Sequence, residues 1–299
     1  MVDKIGQQDI NSLTINKFVA GFADEEFFFK KYLRQLSTGS TTIRYWQKTA
    51  GVLDSTDTTG ITSSQIYNVA FGALPEIVQP TWTRNTANTK KYFDGSGVMA
   101  NEDLKDNDVN AFATILRELL RAVENQVNVR IFNVLTENTL TGTTLSIPTN
   151  VSYSVAVGAS WRASGADPVE DLLSASKVIA SNNYSISGLV TLMGPQAYQN
   201  LLKYLISTKG SSIPQFASDR VKDGAVMNLV GHDIVVSNSV TANYVVTFIP
   251  NESAEWHTFE PLQSVIVEHQ GIGREIRCWE NGEAVLRNPK SVHLLSGSS

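Results

Sequence analysis

Between residues 107 and 138 the apolar positions recur at helical spacing. Phe112, Leu116, Leu119, Val123, Val127, Phe132 and Leu135 approximate one stripe, and Arg117, Glu118, Arg121, Glu124 and Arg130 fall largely off it. The pattern predicts one long helix over 107–136, with Asn107 or Asp108 placed to cap its start. At about 1.5 Å per residue, roughly 28 residues make a rod of about 42 Å, against a usual helix length of about 11–12 residues.

Upstream, residues 1–13 are polar and expected to be loose. From Thr14 to about Leu36 a second helical period is set by Val19, Phe22, Phe29, Leu33 and Leu36. Asp24, Glu25 and Glu26 come first and Lys30, Lys31 and Arg34 follow, the order that complements a helix dipole. Phe27, Phe28 and Phe29 stand in a row between them. Two adjacent rings can share a helix face, so at least one must point away from the main packing side. From Ser37 to Ser64 the period is lost, and 13 of 28 residues are Ser or Thr. "TTIRYWQ" (41–47) is a short β-favouring piece, and "LPEIVQPTWTRNTANTKKYF" (74–93) reads as extended, its two prolines excluding a central strand. Residues 40–95 are expected to form a long two-stranded excursion, marginal by itself and suited to lying on something else.

Beyond the long helix, residues 139–160 are Thr- and Ser-rich, and helix and strand patterns then alternate. A helix is expected over 167–183, with Asp167 as cap and Pro168 at its first position. A buried strand follows at 188–194, then a helix at 195–205 that also starts on proline. Strands are expected at 233–240, 244–250 and 264–270. Residues 274–295 read as a hairpin turning about Asn281-Gly282, with a last strand after Asn288-Pro289. There is no internal repeat.

Composition narrows the function. The chain has 299 residues, 42% hydrophobic and 18% charged, which suits a globular protein with a substantial core. Its net charge of −5 argues against a dedicated nucleic-acid surface. The single cysteine, Cys278, allows no intrachain disulfide and no cysteine metal cluster. The opening "MVDKIGQQDI" is not a signal peptide, and no apolar run approaches the roughly 20 residues of a membrane span. His232, His257, His269 and His293 are scattered and match no metal spacing. No phosphate-binding loop and no GxSxG occurs. "GSGVMA" (95–100) fits GxGxxA but follows a polar arm rather than a buried strand, so it reads as a turn. Glu170 and Asp171 sit at a helix start, where acids are ordinary. Three N-x-S/T triplets, at Asn150, Asn183 and Asn251, are near chance in such a chain. No catalytic, cofactor-binding or metal-binding residue is assigned. The organisation suits contact rather than turnover, and the open alternative is an enzyme whose site residues come from separated loops.

The order of parts, with "WRASGADPVEDLLSASKVI" (161–179), "GLVTLMGPQAYQNLLKYL" (188–205), "GHDIVVSNSV" (231–240) and "RCWENGEAVLRNPKSVHLLSG" (277–297), resembles the major capsid proteins of tailed double-stranded DNA phages and related archaeal viruses. The resemblance covers most of the chain from about residue 14. It implies an α+β, HK97-like capsid fold, named after phage Hong Kong 97. On it, residues 1–38 are the N-terminal arm and 40–95 the extended loop lying across a neighbouring subunit. Residues 96–150 and 266–299 are the peripheral domain with its spine helix at 107–136, and 151–265 the axial domain with a mixed sheet and flanking helices. The implied function is structural: copies assemble through pentamers and hexamers into an icosahedral shell enclosing double-stranded DNA, with Phe27, Phe28, Phe29, Trp46 and Trp82 as inter-subunit contacts. Implied partners are the chain itself, separate scaffolding, portal or cement proteins, and DNA held without sequence-specific binding; the implied location is the virion, assembled in the host cytoplasm. No membrane and no cofactor is implied. A crosslink between a lysine and an asparagine, which some relatives make, is matched to no lysine here. Two rivals stay open beside the enzyme: an encapsulin shell of the same fold, and a tail or fibre protein, against which the long helix argues.

Overall fold

The structure, a computed structural model, describes residues 29–50, 71–72, 81–101, 109–138, 145–158, 160–163, 165–206 and 228–298. Its spine is α1 (Val109–Leu135), 27 residues without glycine or proline and about 40 Å long. Leu116, Leu119, Leu120 and Val123 of its first half bury against Ile276 and Cys278. Val127, Ile131, Phe132 and Leu135 of its second half enter the main core. From Leu116 to Leu135 the apolar stripe read from the sequence is thus the buried side; the capping candidates Asn107 and Asp108 lie outside the described residues. The helix stops where Glu137 takes a left-handed conformation (φ 54). The Glu137 carboxylate then accepts hydrogen bonds from the backbone N–H groups of Thr149, Asn150 and Val151.

Three sheets surround the spine. The first contains β1 (Arg34–Ser37), β4 (Lys90–Gly95), β5 (Met99–Ala100), β11 (Ala254–His269) and β12 (Gly273–Leu286). Its order is β1-β11-β12-β4, with β5 also on β12. The second contains β6 (Ser152–Val155), β7 (Leu189–Met193), β8 (Asn228–Leu229), β9 (His232–Val236), β10 (Tyr244–Phe248) and β13 (Val292–Ser296). Its order is β6-β13-β10-β7-β9-β8, part parallel and part antiparallel. On one face of that sheet α2 (Pro168–Ser181) and α3 (Pro195–Tyr204) cover Met193, Val245, Leu295 and Ile234. On the other, Val190, Leu192, Val246, Phe248 and Leu294 share a core with the end of α1. The third sheet is a two-stranded ribbon, β2 (Thr42–Ala50) against β3 (Thr81–Asn88).

The local signals for α2 hold. Asp167 is its N-cap, accepting from the N–H groups of Val169 and Glu170, and Pro168 opens the helix. Two other expectations are corrected. Residues 34–37 continue no helix; they form β1, parallel to residues 255–258 of β11. A partner 221 residues away decides their conformation. Nor does the chain turn at Asn281-Gly282. β12 runs straight through that pair, with Asn281 opposite Glu260 on one side and Lys91 on the other. The hairpin turn is at 270–272, closed by the Ile272 N–H donating to the His269 carbonyl. Two further findings bear on the layout: β11 crosses residue 265 unbroken, and β13, near the chain's end, lies second in the six-stranded sheet.

Candidate assembly surface

The ribbon alternates sharply. Ile43 and Gln47 are buried and Tyr45 is half-buried, while Arg44 and Trp46 are exposed. Cross-strand register places Trp46 opposite Arg84 and Lys48 opposite Trp82. Neighbours two apart share a face, so Arg44, Trp46, Lys48, Trp82 and Arg84 stand together on the outer side. That face also carries Thr42, Thr86 and Asn88 and, among the described residues, no acidic one. Trp46 is 56% exposed and Trp82 45%. The Lys48 ammonium reaches back to the ring of Tyr184 in its own chain, 6.0 Å from the centroid.

The inner face rests on the second half of α1 and on β12. The Lys48 N–H donates to the Arg287 carbonyl, and the Asn85 amide donates to Gln47 Oε1 at 2.8 Å. A cavity of about 430 Å³ remains beneath, lined by Tyr45, Gln47, Arg130, Asn133, Glu137 and Glu283 among others. Arg130 Nε donates to Glu283 Oε1 at 2.6 Å inside it. The seat is therefore loosely filled, with Val134, Ala284 and Leu286 beside the polar groups.

The root of the arm is held differently. Phe29 and Leu33 are buried in the main core of their own subunit, so the Phe29 ring is covered within its own chain. Phe27 and Phe28 lie outside the described residues. Lys30 is buried and paired with the Glu280 carboxylate, with its ammonium 4.9 Å from the Trp256 ring centroid. Burial lowers the Lys30 pKa, and Glu280 and Glu124 oppose that shift. A buried ion pair over an indole was invisible in the sequence, since its partners are 250 residues apart.

A further aromatic group lies on the first sheet's open face. Phe93, 53% exposed, sits 6.4 Å from Trp279, and the Lys91 ammonium lies over both rings. Phe93 and Trp279 are direct cross-strand partners, which a hairpin at Asn281-Gly282 would have separated.

The residues searched for chemistry have structural roles. His232 is buried, with Nε2 on the Ser176 hydroxyl and Nδ1 on that of Thr191. His293 is buried and its Nε2 meets Ser154 Oγ at 2.9 Å. His257 and His269 each face a carboxylate, Glu255 and Glu275. Asp171 is the exception to its expected surface place. It is buried, accepts from the Trp161 indole N–H at 2.7 Å and from the Val157 N–H, and burial raises its pKa. Cys278 is buried in β12, its thiol pushed up to about 12 chiefly by burial. Residues 95–100, expected as a turn, do not turn: β4 and β5 both run antiparallel to β12, one continuing the other, and between them the Ser96 N–H donates to the Ile276 carbonyl. Among the described residues no group of three or more His, Cys, Asp or Glu is placed to hold a metal ion, and no helix is long and apolar enough to cross a membrane.

The chain matches the family described as phage capsid protein over residues 84–292. No curated protein matches it. Among solved structures, the capsid of the cyanophage P-SCSP1u aligns with a TM-score of 0.61 at 14% identity, covering 90% of this chain and 87% of that one. The capsid of a native GTA particle aligns at 0.61 with 12% identity, covering 100% and 96%. A virus-like particle from Pyrococcus furiosus aligns at 0.58 with 13% identity, covering 95% and 98%. These likenesses show a shared HK97-like fold.

Proposed function

The chain belongs to the phage capsid protein family, and we propose that its copies join through pentamers and hexamers into an icosahedral shell around double-stranded DNA. As a member it is a structural protein and not an enzyme, and its place is the capsid of the virion. The encapsulin alternative is not favoured by this membership. The observation that carries the finer reading is the ribbon's outer face. Two tryptophans, both about half exposed, stand on a polar loop beside arginines, with their own subunit behind them. Interface cores are enriched in such aromatic and arginine side chains. Trp46 and Trp82 contact a neighbouring subunit, together with Phe27 and Phe28 of the arm.

In the proposed layout the first sheet and α1 form the peripheral body, and the six-stranded sheet with α2 and α3 the axial one. The net charge of −5 suits a wall that contains DNA without gripping its phosphates throughout. Separate scaffolding, portal or cement proteins are the further partners, and assembly takes place in the host cytoplasm.

Electron microscopy of the purified chain, with light scattering on the same sample, tests this. Closed particles or five- and six-membered rings are expected. A chain that stays monomeric at high concentration and with its scaffold would overturn the reading, and packaged protein in place of DNA would point to a cellular compartment.

A further inference from the structure

Asp94 and Gly95 close β4, which lies at the edge of the first sheet. One residue further on, the Ser96 N–H donates to the Ile276 carbonyl at 2.8 Å, which fixes the phase of the ladder. Antiparallel positions alternate between bonded and non-bonded pairs. Asp94 therefore sits in a bonded pair with Cys278, and Gly95 in a non-bonded one with Arg277. The Gly95 N–H points away from β12, past the edge of the sheet. It donates instead to the carboxylate of the residue before it, with Asp94 Oδ1 at 2.9 Å. An amide nitrogen thus rests against the carboxyl group of its own neighbour.

The surroundings leave that pair free to react. Gly95 has no side chain to stand between its nitrogen and the carboxyl, and it is exposed, so water reaches it. Residues 96–98 belong to no strand, and a Cβ on Gly97 would meet nothing within 4 Å, so the chain beyond Gly95 has room to rotate. Other aspartates are engaged elsewhere. The Asp167 carboxylate accepts from the N–H groups of Val169 and Glu170, and that of Asp171 from Trp161 and Val157.

We propose that Asp94-Gly95 is a site of spontaneous self-modification, where the chain rearranges through a cyclic imide to isoaspartate. The Gly95 nitrogen bonds to Asp94 Cγ. Its proton and the hydroxyl of the carboxylic acid leave together as one water, and a five-membered ring closes. One water then opens the ring at the former main-chain carbonyl of Asp94. The main chain thereafter runs through Asp94 Cβ and Cγ, one carbon longer, and the old carbonyl carbon carries the free carboxylate. Water is the only other reactant, and no second subunit is needed. The extra carbon moves Ser96 away from Ile276, whose N–H donates to Ser96 Oγ at 2.9 Å. The link between β4 and β5 is loosened as a result.

The test ages the full-length chain at neutral pH in the warm and digests it. The peptides are weighed and probed with protein isoaspartate methyltransferase and labelled S-adenosylmethionine. A peptide lighter by one water, then label growing with time at residue 94, is expected, with no label at 167 or 171. Gly95→Ala tests the chemistry without disturbing the fold, because its Cβ would come no nearer than 3.4 Å to any neighbour, Glu275 Oε1. That variant is expected to lose most of the label and to keep its melting temperature on ageing, while that of the wild type falls. Asp223-Gly224, the same dipeptide, lies outside the described residues and serves as the internal reference. No label at 94, whether or not 223 is labelled, would overturn the assignment. So would label at 94 that Gly95→Ala leaves unchanged.

Discussion

Gly282 passes beneath the indole of Trp256 so closely that a Cβ on it would stand 2.7 Å from the ring carbon Cζ2. The same Cβ would meet the His257 carbonyl at 2.8 Å. Both are parts of a central strand pair and have little room to give, because Trp256 is fully buried. Gly282→Ala should therefore destabilise the subunit by about 1–3 kcal/mol, as overpacking of a tight core does. Thermal unfolding of the isolated chain measures it; an unchanged midpoint would contradict the packing.

Lys30 and Glu280 tie the root of the arm to the centre of the first sheet. Removing one partner leaves a buried charge alone. Lys30→Met is expected to cost roughly 3–5 kcal/mol, and Lys30→Met with Glu280→Leu to recover most of it. Denaturant unfolding of the two single variants and the double variant completes the cycle. Purely additive losses would mean that the two side chains do not act as a pair.

Val230 has φ 55, a left-handed conformation in which a β-branched residue is strained, and Gly231 beside it has φ 81. The pair joins β8 to β9 through a two-residue turn with positive φ at both positions, the geometry that favours Asn-Gly. Val230→Asn should stabilise by about 1 kcal/mol. A lowered melting temperature would refute the turn geometry.

Burial lowers the pKa of His232, His257 and His293, the last to about 4. Glu255 partly opposes the shift at His257. An unfolded histidine titrates near 6.5, so between about pH 6.5 and 4 the unfolded chain binds more protons than the folded one. The contribution of His293 to stability is complete above about pH 6.5 and is lost as pH falls toward 4. His293 alone contributes on the order of 3 kcal/mol to that loss. Melts at pH 7 and pH 4.5 should show a smaller drop for His293→Gln than for the wild type. Equal drops would exclude His293 as a source.

What the sequence showed, it showed where the cause was local. The stripe of α1 and the Asp167-Pro168 start of α2 need only neighbouring residues, and both stand where expected. Asn281-Gly282 misled for a physical reason: glycine there answers a ring 26 positions away in the chain, not a turn. Residues 34–37 misled because a parallel partner outweighed helical spacing. Trp46 and Trp82 were legible as large aromatics in a polar loop. Their common face was not, since it depends on the register of two strands more than 30 residues apart.

The unbroken α1 has a consequence for the shell as a whole. With neither glycine nor proline along its described length, it is a continuous rod of about 40 Å joining the core under β12 to the main core. Such a rod would not lengthen or bend to suit the proposed rings of five or of six. In the proposed shell the adjustment would fall to the loosely filled seat under the ribbon, the compliant joint of an otherwise stiff tile.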